Sequence, residues 1–328
     1  MPRLNPSKIQ KILVISLSNI GDVILTFPVL DILREDFPRA KISVVVGPKA
    51  ESLLKDNPHF EQTLVFNKRQ FFLKHMRFMW QLRKEYFDLI VDLRNTAIPF
   101  FIGCRYRTSF FDHQRSSVHM RLRHLNRLKT IYPFASEAKR KYSLFISDKD
   151  SQVVRDLLAQ EVDQNKSLIV LAPGAANSDK RWTEKGYAQV CDYLIKTKGG
   201  NIIFVGDEQD KQIVQNIQKG MALPSVNFCG RLTLPQLGGL LKKASLVISN
   251  DSAPMHLASY LNCPVLAIFG PSDPEKYGPW GEHNYYFRKN QNCLKCQNEK
   301  STARHTCMEA VKSEDVLGAF NEFYKKRV

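Results

Sequence analysis

Short, unbroken apolar runs alternate with amphipathic stretches along this chain, and the series starts twice. In the first half, residues 11–16, 41–46, 63–66, 88–92 and 142–146 have the composition of strands. Residues 22–36, 71–86 and 150–160 carry apolar side chains at helical spacing. In the second half, strands are expected at 167–172, 201–205, 226–228, 246–249 and 264–269. Helices are expected at 184–197, 208–219, 234–243, 252–261 and 313–326. Strands that are apolar on both faces belong to parallel sheets covered by helices on either side. The chain is therefore expected to be α/β, with two doubly wound parallel-sheet domains and a cleft between them. Its 328 residues suffice for two cores of ordinary size. We place the domains at 1–155 and 156–312, with a C-terminal helix at 313–328, and read 270–307 as mostly loop.

Charge narrows the partners. The formal net charge is +16, which favours polyanions or anionic substrates. Half of the excess lies in one segment. Residues 101–145 hold ten basic side chains (Arg105, Arg107, Arg115, Arg121, Arg123, Arg127, Lys129, Lys139, Arg140 and Lys141) against two acids, Asp112 and Glu137. A second basic block, rich in aromatics, runs from Lys68 to Lys84. No RNA-binding motif accompanies them, so no nucleic-acid partner is expected. No stretch approaches the roughly 18 apolar residues of a membrane span. The apolar run at 12–15 is too short for a secretory signal, and a cytoplasmic location is expected.

Seven cysteines without such a signal do not form a disulfide framework. Cys104, Cys191, Cys229 and Cys263 lie in apolar or mixed contexts and read as packing residues. Cys293 and Cys296 have C-x-x-C spacing, and His305 and Cys307 follow. These four residues suffice for a structural zinc site, although their intervals match no standard finger.

In open parallel sheets, ligands sit beyond the carboxyl ends of the strands. Three loops fall there. Ser18-Asn19-Ile20-Gly21-Asp22 follows the first strand, with Asp22 at a helix start, where a carboxylate either caps the helix or faces a ligand. Residues 174–182 follow the first strand of the second series. Gly174 and Ala175 permit close backbone approach, and Lys180 offers a point charge for a phosphate oxygen. Residues 250–256 pass from a strand into a helix through Asn250-Asp251-Ser252-Ala253. Unpaired amides at a helix start attract anions, and Asp251 and His256 lie about one turn apart. At the end of the strand at 201–205, Glu208, or alternatively Asp207, is placed to bind ribose hydroxyls. Asp148-Lys149-Asp150 has the form of a metal–diphosphate D-x-D, but it precedes a helix and reads better as a cap. No G-x-G-x-x-G or P-loop pattern occurs, which excludes the usual nicotinamide and NTPase sites. No cofactor is expected.

Three segments together carry a resemblance. They are K-I-L-V-I-S-L-S-N-I-G-D-V-I-L-T-F-P-V-L with the following F-P-R-A; A-P-G-A with D-K-R-W; and S-N-D-S-A-P-M-H-L-A with F-G-P-S-D-P. The chain resembles glycosyltransferase family 9, the bacterial ADP-heptose:lipopolysaccharide heptosyltransferases, over nearly its whole length. That resemblance implies a GT-B fold of two Rossmann-like domains, an ADP-heptose donor and a metal-independent inverting transfer. It assigns the catalytic base to Asp22, the diphosphate cation to Lys180, donor contacts to Asp251, Ser252, Ala253 and His256, and the ribose contact to Glu208. Two departures stand out. Ala253 replaces a frequent glycine, and the C-terminal cysteine cluster has three members where four are common.

The expected reaction moves a heptose onto the inner core of lipopolysaccharide. The first domain would bind the anionic acceptor, through Arg121, Arg123 and Arg127, at the inner face of the cytoplasmic membrane. Phe71, Phe72, Phe78, Met79 and Trp80 could touch that membrane, although their helical spacing also suits core packing. The competing readings are a related transferase with another nucleotide sugar or glycolipid, and a non-catalytic polyanion binder.

Overall fold

The computed structural model describes residues 4, 6–110, 118–289, 293–297 and 305–325. Arg115 and Asp112 of the basic segment lie outside the described residues. The chain divides into two compact units, Met1–Phe145 and Ile146–Val328.

The first unit is built on a five-stranded parallel sheet. Its strands are β1 (Lys11–Ile15), β2 (Lys41–Val46), β3 (Gln62–Val65), β4 (Leu89–Asp92) and β5 (Tyr106–Arg107), in the order β3-β2-β1-β4-β5. The order reverses between β1 and β4, so the loops after these two strands diverge and leave a crevice between them. Ile12, Leu13, Val14 and Ile15 are fully buried, as a central strand covered on both faces requires.

Two sequence expectations fail in this unit. The helix expected at 22–36 is two helices, Ile20–Ile24 and Phe27–Asp36. Pro28 has no N–H to give the Ile24 carbonyl, so the first helix stops and a new one begins. The strand expected at 142–146 does not form. The Asp31 carboxylate accepts bonds from the Tyr142 and Ser143 amides and the Ser143 hydroxyl, while Asn57 Nδ2 donates to both their carbonyls. Side chains have taken the groups a strand ladder would need. Helices Ile98–Ile102 and Met120–Lys129 occupy part of the basic segment.

The second unit holds a six-stranded parallel sheet in the order β11-β10-β9-β6-β7-β8. Its strands are β6 (Leu168–Ala172), β7 (Asn201–Phe204), β8 (Val226–Asn227), β9 (Leu246–Asn250), β10 (Val265–Phe269) and β11 (Asn284–Arg288). Here the order reverses between β6 and β9. β11 falls inside the stretch expected to be loop; it pairs with β10, and Tyr285 and Phe287 pack on the core.

The units meet in sequence ten residues earlier than the expected boundary at 155. Helix Asp148–Glu161 belongs wholly to the second unit. Ser147 and Asp150 close a capping box, and Gln236 of helix Leu234–Leu241 donates to the other Asp150 oxygen. Asp150 is thus a cap and not half of a metal-binding D-x-D. The terminal helix Ser313–Lys325 is not an appendage either, since Val316, Phe320 and Phe323 are part of the second core.

Candidate functional site

In the second unit, the loops after β6 and β9 flank the point where strand order reverses. Asn250, wholly buried at the end of β9, ties them together. Its Oδ1 accepts from the Trp182 amide and the Tyr187 hydroxyl, and its Nδ2 donates to the Pro173 carbonyl. Trp182 is pinned again where its indole N–H reaches the Val311 carbonyl. Arg181 Nε donates to the Ala175 carbonyl, closing the loop on itself. These bonds fix the short 3-10 turn Ser178–Lys180. Lys180 Nζ lies 2.6 Å from Asp251 Oδ2.

The pair refines the role of Asp251. Its carboxylate is 7% exposed against 35% for the lysine side chain, so the ammonium faces solvent and the carboxylate lies behind it. The other Asp251 oxygen lies 3.9 Å from His256 Nε2, and the imidazole stacks on Trp280. Asp251 therefore holds the Lys180 ammonium, with the His256 imidazole near its second oxygen. Trp280 gave no signal in the sequence, because it lies in a loop without periodicity.

Helix Ala253–Tyr260 begins beside this pair. Ser252 occupies the N-cap position but makes no side-chain cap bond; its hydroxyl is with Ser249 Oγ instead. The amides of Ala253 and Met255 are thus left uncapped by Ser252, and the helix dipole favours an anion before them. Pro254 supplies no N–H, which leaves fewer donors than a full phosphate loop.

A close approach by protein also requires glycine at position 174. A Cβ there would lie within 2.2 Å of the Asp210 carboxylate, and one at Gly206 would also strike it. The space on the Cβ side of Gly174 is filled by the Asp210 carboxylate. Burial pushes the Asp210 carboxyl upward in pKa. Asp207 is committed as a cap for the Gln209 and Asp210 amides. Glu208 is exposed, lies over Gly230 and pairs with Lys211, so of the two expected carboxylates only it is free of capping duty. The Ala175 side chain is buried.

In the first unit, Asp22 opens helix Ile20–Ile24, directly after β1 at the strand reversal. It does not cap the helix: its Oδ2 accepts from the Asn19 side-chain amide at 3.0 Å, and the carboxylate stays partly exposed. Gly47 after β2 makes this possible, since a Cβ there would come within 2.7 Å of Ser18. The loop after β4 contributes a residue that sequence reasoning missed. The buried Asp92 carboxylate accepts from the Arg94 and Thr96 amides and the Thr96 hydroxyl. Its own pKa is raised by burial, against the lowering effect of these bonds. The turn holds Arg94 partly buried, with Nη2 lacking a partner among the described residues.

The basic segment is not uniformly exposed. Arg127 is buried and donates to the Ser109 carbonyl, so it holds the fold. Arg121 pairs with Glu137 at the surface, and Arg123 is partly exposed. Of the aromatic block, Phe78 and Met79 pack on the core. Phe71, Phe72 and Trp80 are instead exposed, with Leu73 and Met76. Among the described residues, no helix is long and apolar enough to cross a membrane. Cys293, Cys296, His305 and Cys307 converge on one point, their ligand atoms within 4.8 Å of one another.

The model for glycosyltransferase family 9 (heptosyltransferase) matches residues 75–306, more than half of the chain. The chain belongs to glycosyltransferase family 9. It is 27% identical over 293 residues to lipopolysaccharide heptosyltransferase 3 of Escherichia coli, covering 81% of this chain and 85% of that one. A family 9 glycosyl transferase from Veillonella parvula superposes with a TM-score of 0.81 at 22% identity, over 97% of both chains. The E. coli ADP-heptose heptosyltransferase II does so with a TM-score of 0.75 at 21% identity, over 97% of this chain and 99% of that one. The fold is accordingly GT-B, and this family 9 member is an enzyme that transfers sugar. The reading as a non-catalytic polyanion binder is set aside.

Proposed function

We propose that this family 9 enzyme transfers a heptose from ADP-heptose to the inner core of lipopolysaccharide, with inversion and without a catalytic metal. The observation that carries the donor half is Lys180, held by Asp251 beside the uncapped start of helix Ala253–Tyr260. That arrangement suits a diphosphate. As the C1–O bond to the sugar breaks, the electron pair and negative charge pass to the nucleotide, and a fixed ammonium with helix-start amides can stabilise them. Glu208 is the choice for the ribose hydroxyls. The relatives' names supply the sugar and the acceptor, since one is a lipopolysaccharide heptosyltransferase and another an ADP-heptose enzyme.

The first unit supplies the base. The acceptor hydroxyl attacks the anomeric carbon and loses its proton to Asp22, while ADP leaves. Thermal shift with ADP, UDP, GDP and CMP tests the donor. ADP should stabilise the protein most, and transfer should continue in EDTA without added magnesium. A larger shift with UDP, or activity that only magnesium restores, would overturn the respective half.

Arg94, Arg121 and Arg123 are our acceptor contacts, since the inner core carries carboxylates and phosphates. Replacing Arg121 and Arg123 with alanine should raise the acceptor KM and flatten its salt dependence, because screened attraction is being removed. The donor KM should hardly move. Steady-state kinetics at low and high salt, with each substrate varied, gives the answer. A raised donor KM with an unchanged acceptor KM would reverse the assignment of the two units.

The exposed Phe71, Phe72, Leu73, Met76 and Trp80, set among Lys68, Arg69, Lys74, Arg77, Arg83 and Lys84, suit the surface of an anionic membrane. Sedimentation with vesicles should show binding to phosphatidylglycerol-containing bilayers that weakens with salt and with Trp80→Ala plus Phe72→Ala. Equal binding to neutral vesicles, or none to either, would remove the membrane from the scheme.

A further inference from the structure

We infer that Cys293, Cys296, His305 and Cys307 bind one thiophilic metal ion in tetrahedral geometry, with zinc the expected occupant, and that this ion braces the donor loop. The ligand set comes from two short pieces of chain. Cys293 precedes the single turn Leu294–Gln297 and Cys296 lies within it, and His305 and Cys307 are two residues apart. Cys296 Sγ lies 3.2 Å from Cys307 Sγ and 3.3 Å from His305 Nδ1, and Cys293 Sγ lies 3.8 Å from the same nitrogen. A tetrahedral zinc with bonds of about 2.3 Å to sulfur and 2.0 Å to nitrogen sets its ligand atoms roughly 3.5–3.8 Å apart. These three distances lie close to that spacing, and all four ligand atoms fall within 4.8 Å of one another.

The alternatives fit less well. A disulfide needs sulfurs about 2.05 Å apart, and all three cysteines are free. Three thiols and an imidazole gathered only as packing would not aim their ligand atoms at one another. Oxygen-seeking ions are excluded by the donor chemistry, since the set is three sulfurs and one nitrogen.

The position of the cluster gives it a task. Cys307 leads into Met308, which belongs to the second core and fills the space beside Gly270. Three residues further, the Val311 carbonyl accepts the Trp182 indole N–H. Trp182 in turn donates its amide to Asn250, two residues beyond Lys180. The chain from the metal to the diphosphate cation is therefore short and made of buried contacts. The ion would hold residues 305–311 in place, and those hold the Lys180 loop. None of its ligands belongs to the phosphate site, so the ion takes no part in the transfer.

Elemental analysis of the purified full chain, expressed with zinc and iron both supplied, is the test. Close to one equivalent of zinc per chain is expected. One equivalent of iron would support the same site with a different ion. Cys293→Ser and Cys307→Ser should lose the metal, and Cys263→Ser should keep it. Should those variants fail to fold, the wild-type chain stripped by chelator can be titrated with Co²⁺. A single equivalent should then produce the visible bands of tetrahedral cobalt thiolate. Stripping should also weaken ADP binding severalfold by calorimetry, and zinc should restore it. Metal-free protein that binds no cobalt, a Cys296–Cys307 disulfide in unreduced peptides, or full metal content in both serine variants would overturn the site. Unchanged ADP affinity after stripping would overturn its bracing role. Metal content is measured without substrate, so its failure would leave the donor reading intact.

Discussion

Asp22→Asn is expected to abolish most transfer and to leave ADP affinity as it was. The carboxylate stands beyond the carboxyl end of β1, where strand order reverses, and among the described residues its hydrogen bond comes from the Asn19 side chain. It caps nothing, so its charge is not committed to the helix. An amide of the same shape keeps the Asn19 contact but cannot take a proton from the attacking hydroxyl. Loss of a general base typically costs about 10²–10⁴ in rate. Turnover is measured with purified variant at saturating donor and acceptor, and ADP affinity by calorimetry. A variant with near-normal kcat would remove Asp22 from the chemistry. A variant with normal chemistry in a single turnover but slow release would move its role to a later step.

Lys180→Ala is expected to weaken ADP binding and slow transfer together. A hydrogen bond to a charged group is worth about 1.5–3 kcal/mol, which corresponds to roughly 10- to 100-fold in affinity. Two effects work in the same direction. The ammonium that would meet the diphosphate is gone, and the almost buried Asp251 carboxylate is left without its cation. That carboxylate would then repel the incoming phosphates. Lys180→Ala should therefore be worse than the double variant Lys180→Ala with Asp251→Ala, in which the uncompensated charge is also removed. Calorimetry with ADP across the single and double variants reads this directly. Equal ADP affinity in the wild type and Lys180→Ala would take the lysine out of the donor site. A double variant weaker than the single one would mean that Asp251 helps hold ADP by itself.

The two predictions concern residues that were legible to different degrees. Asp22 and Lys180 stood out as candidates in the sequence because each lies in the connection after an apolar strand run, and such connections border the ligand end of a parallel sheet. What Asp251 does was not legible. It lies 71 residues from Lys180, and nothing in either segment says that their side chains meet. Trp182 and Val311 are 129 residues apart, and their bond decides how the loop is held. The same limit explains Gly174. A glycine at a strand end signals a close approach, but only packing shows that the approaching group is the Asp210 carboxylate.

Periodicity determined the architecture, because burial on both faces of a strand, or on one face of a helix, leaves a local mark. Two series of such marks meant two parallel sheets, and three motifs together meant the family. Tertiary structure decided the rest. It put the boundary at Phe145 and Ile146, because the capping box of the following helix and its Gln236 contact belong to the second unit. It denied residues 142–146 a strand, because Asp31 and Asn57 claim their backbone groups from far away in sequence. It buried Arg127 and exposed Phe71, Phe72 and Trp80, reversing what charge and apolarity alone would assign. It also drew Cys293, Cys296, His305 and Cys307 to one point. A sequence pattern records what each residue needs from its surroundings, whereas the partner that meets the need is chosen by long-range packing, where no local signal reaches.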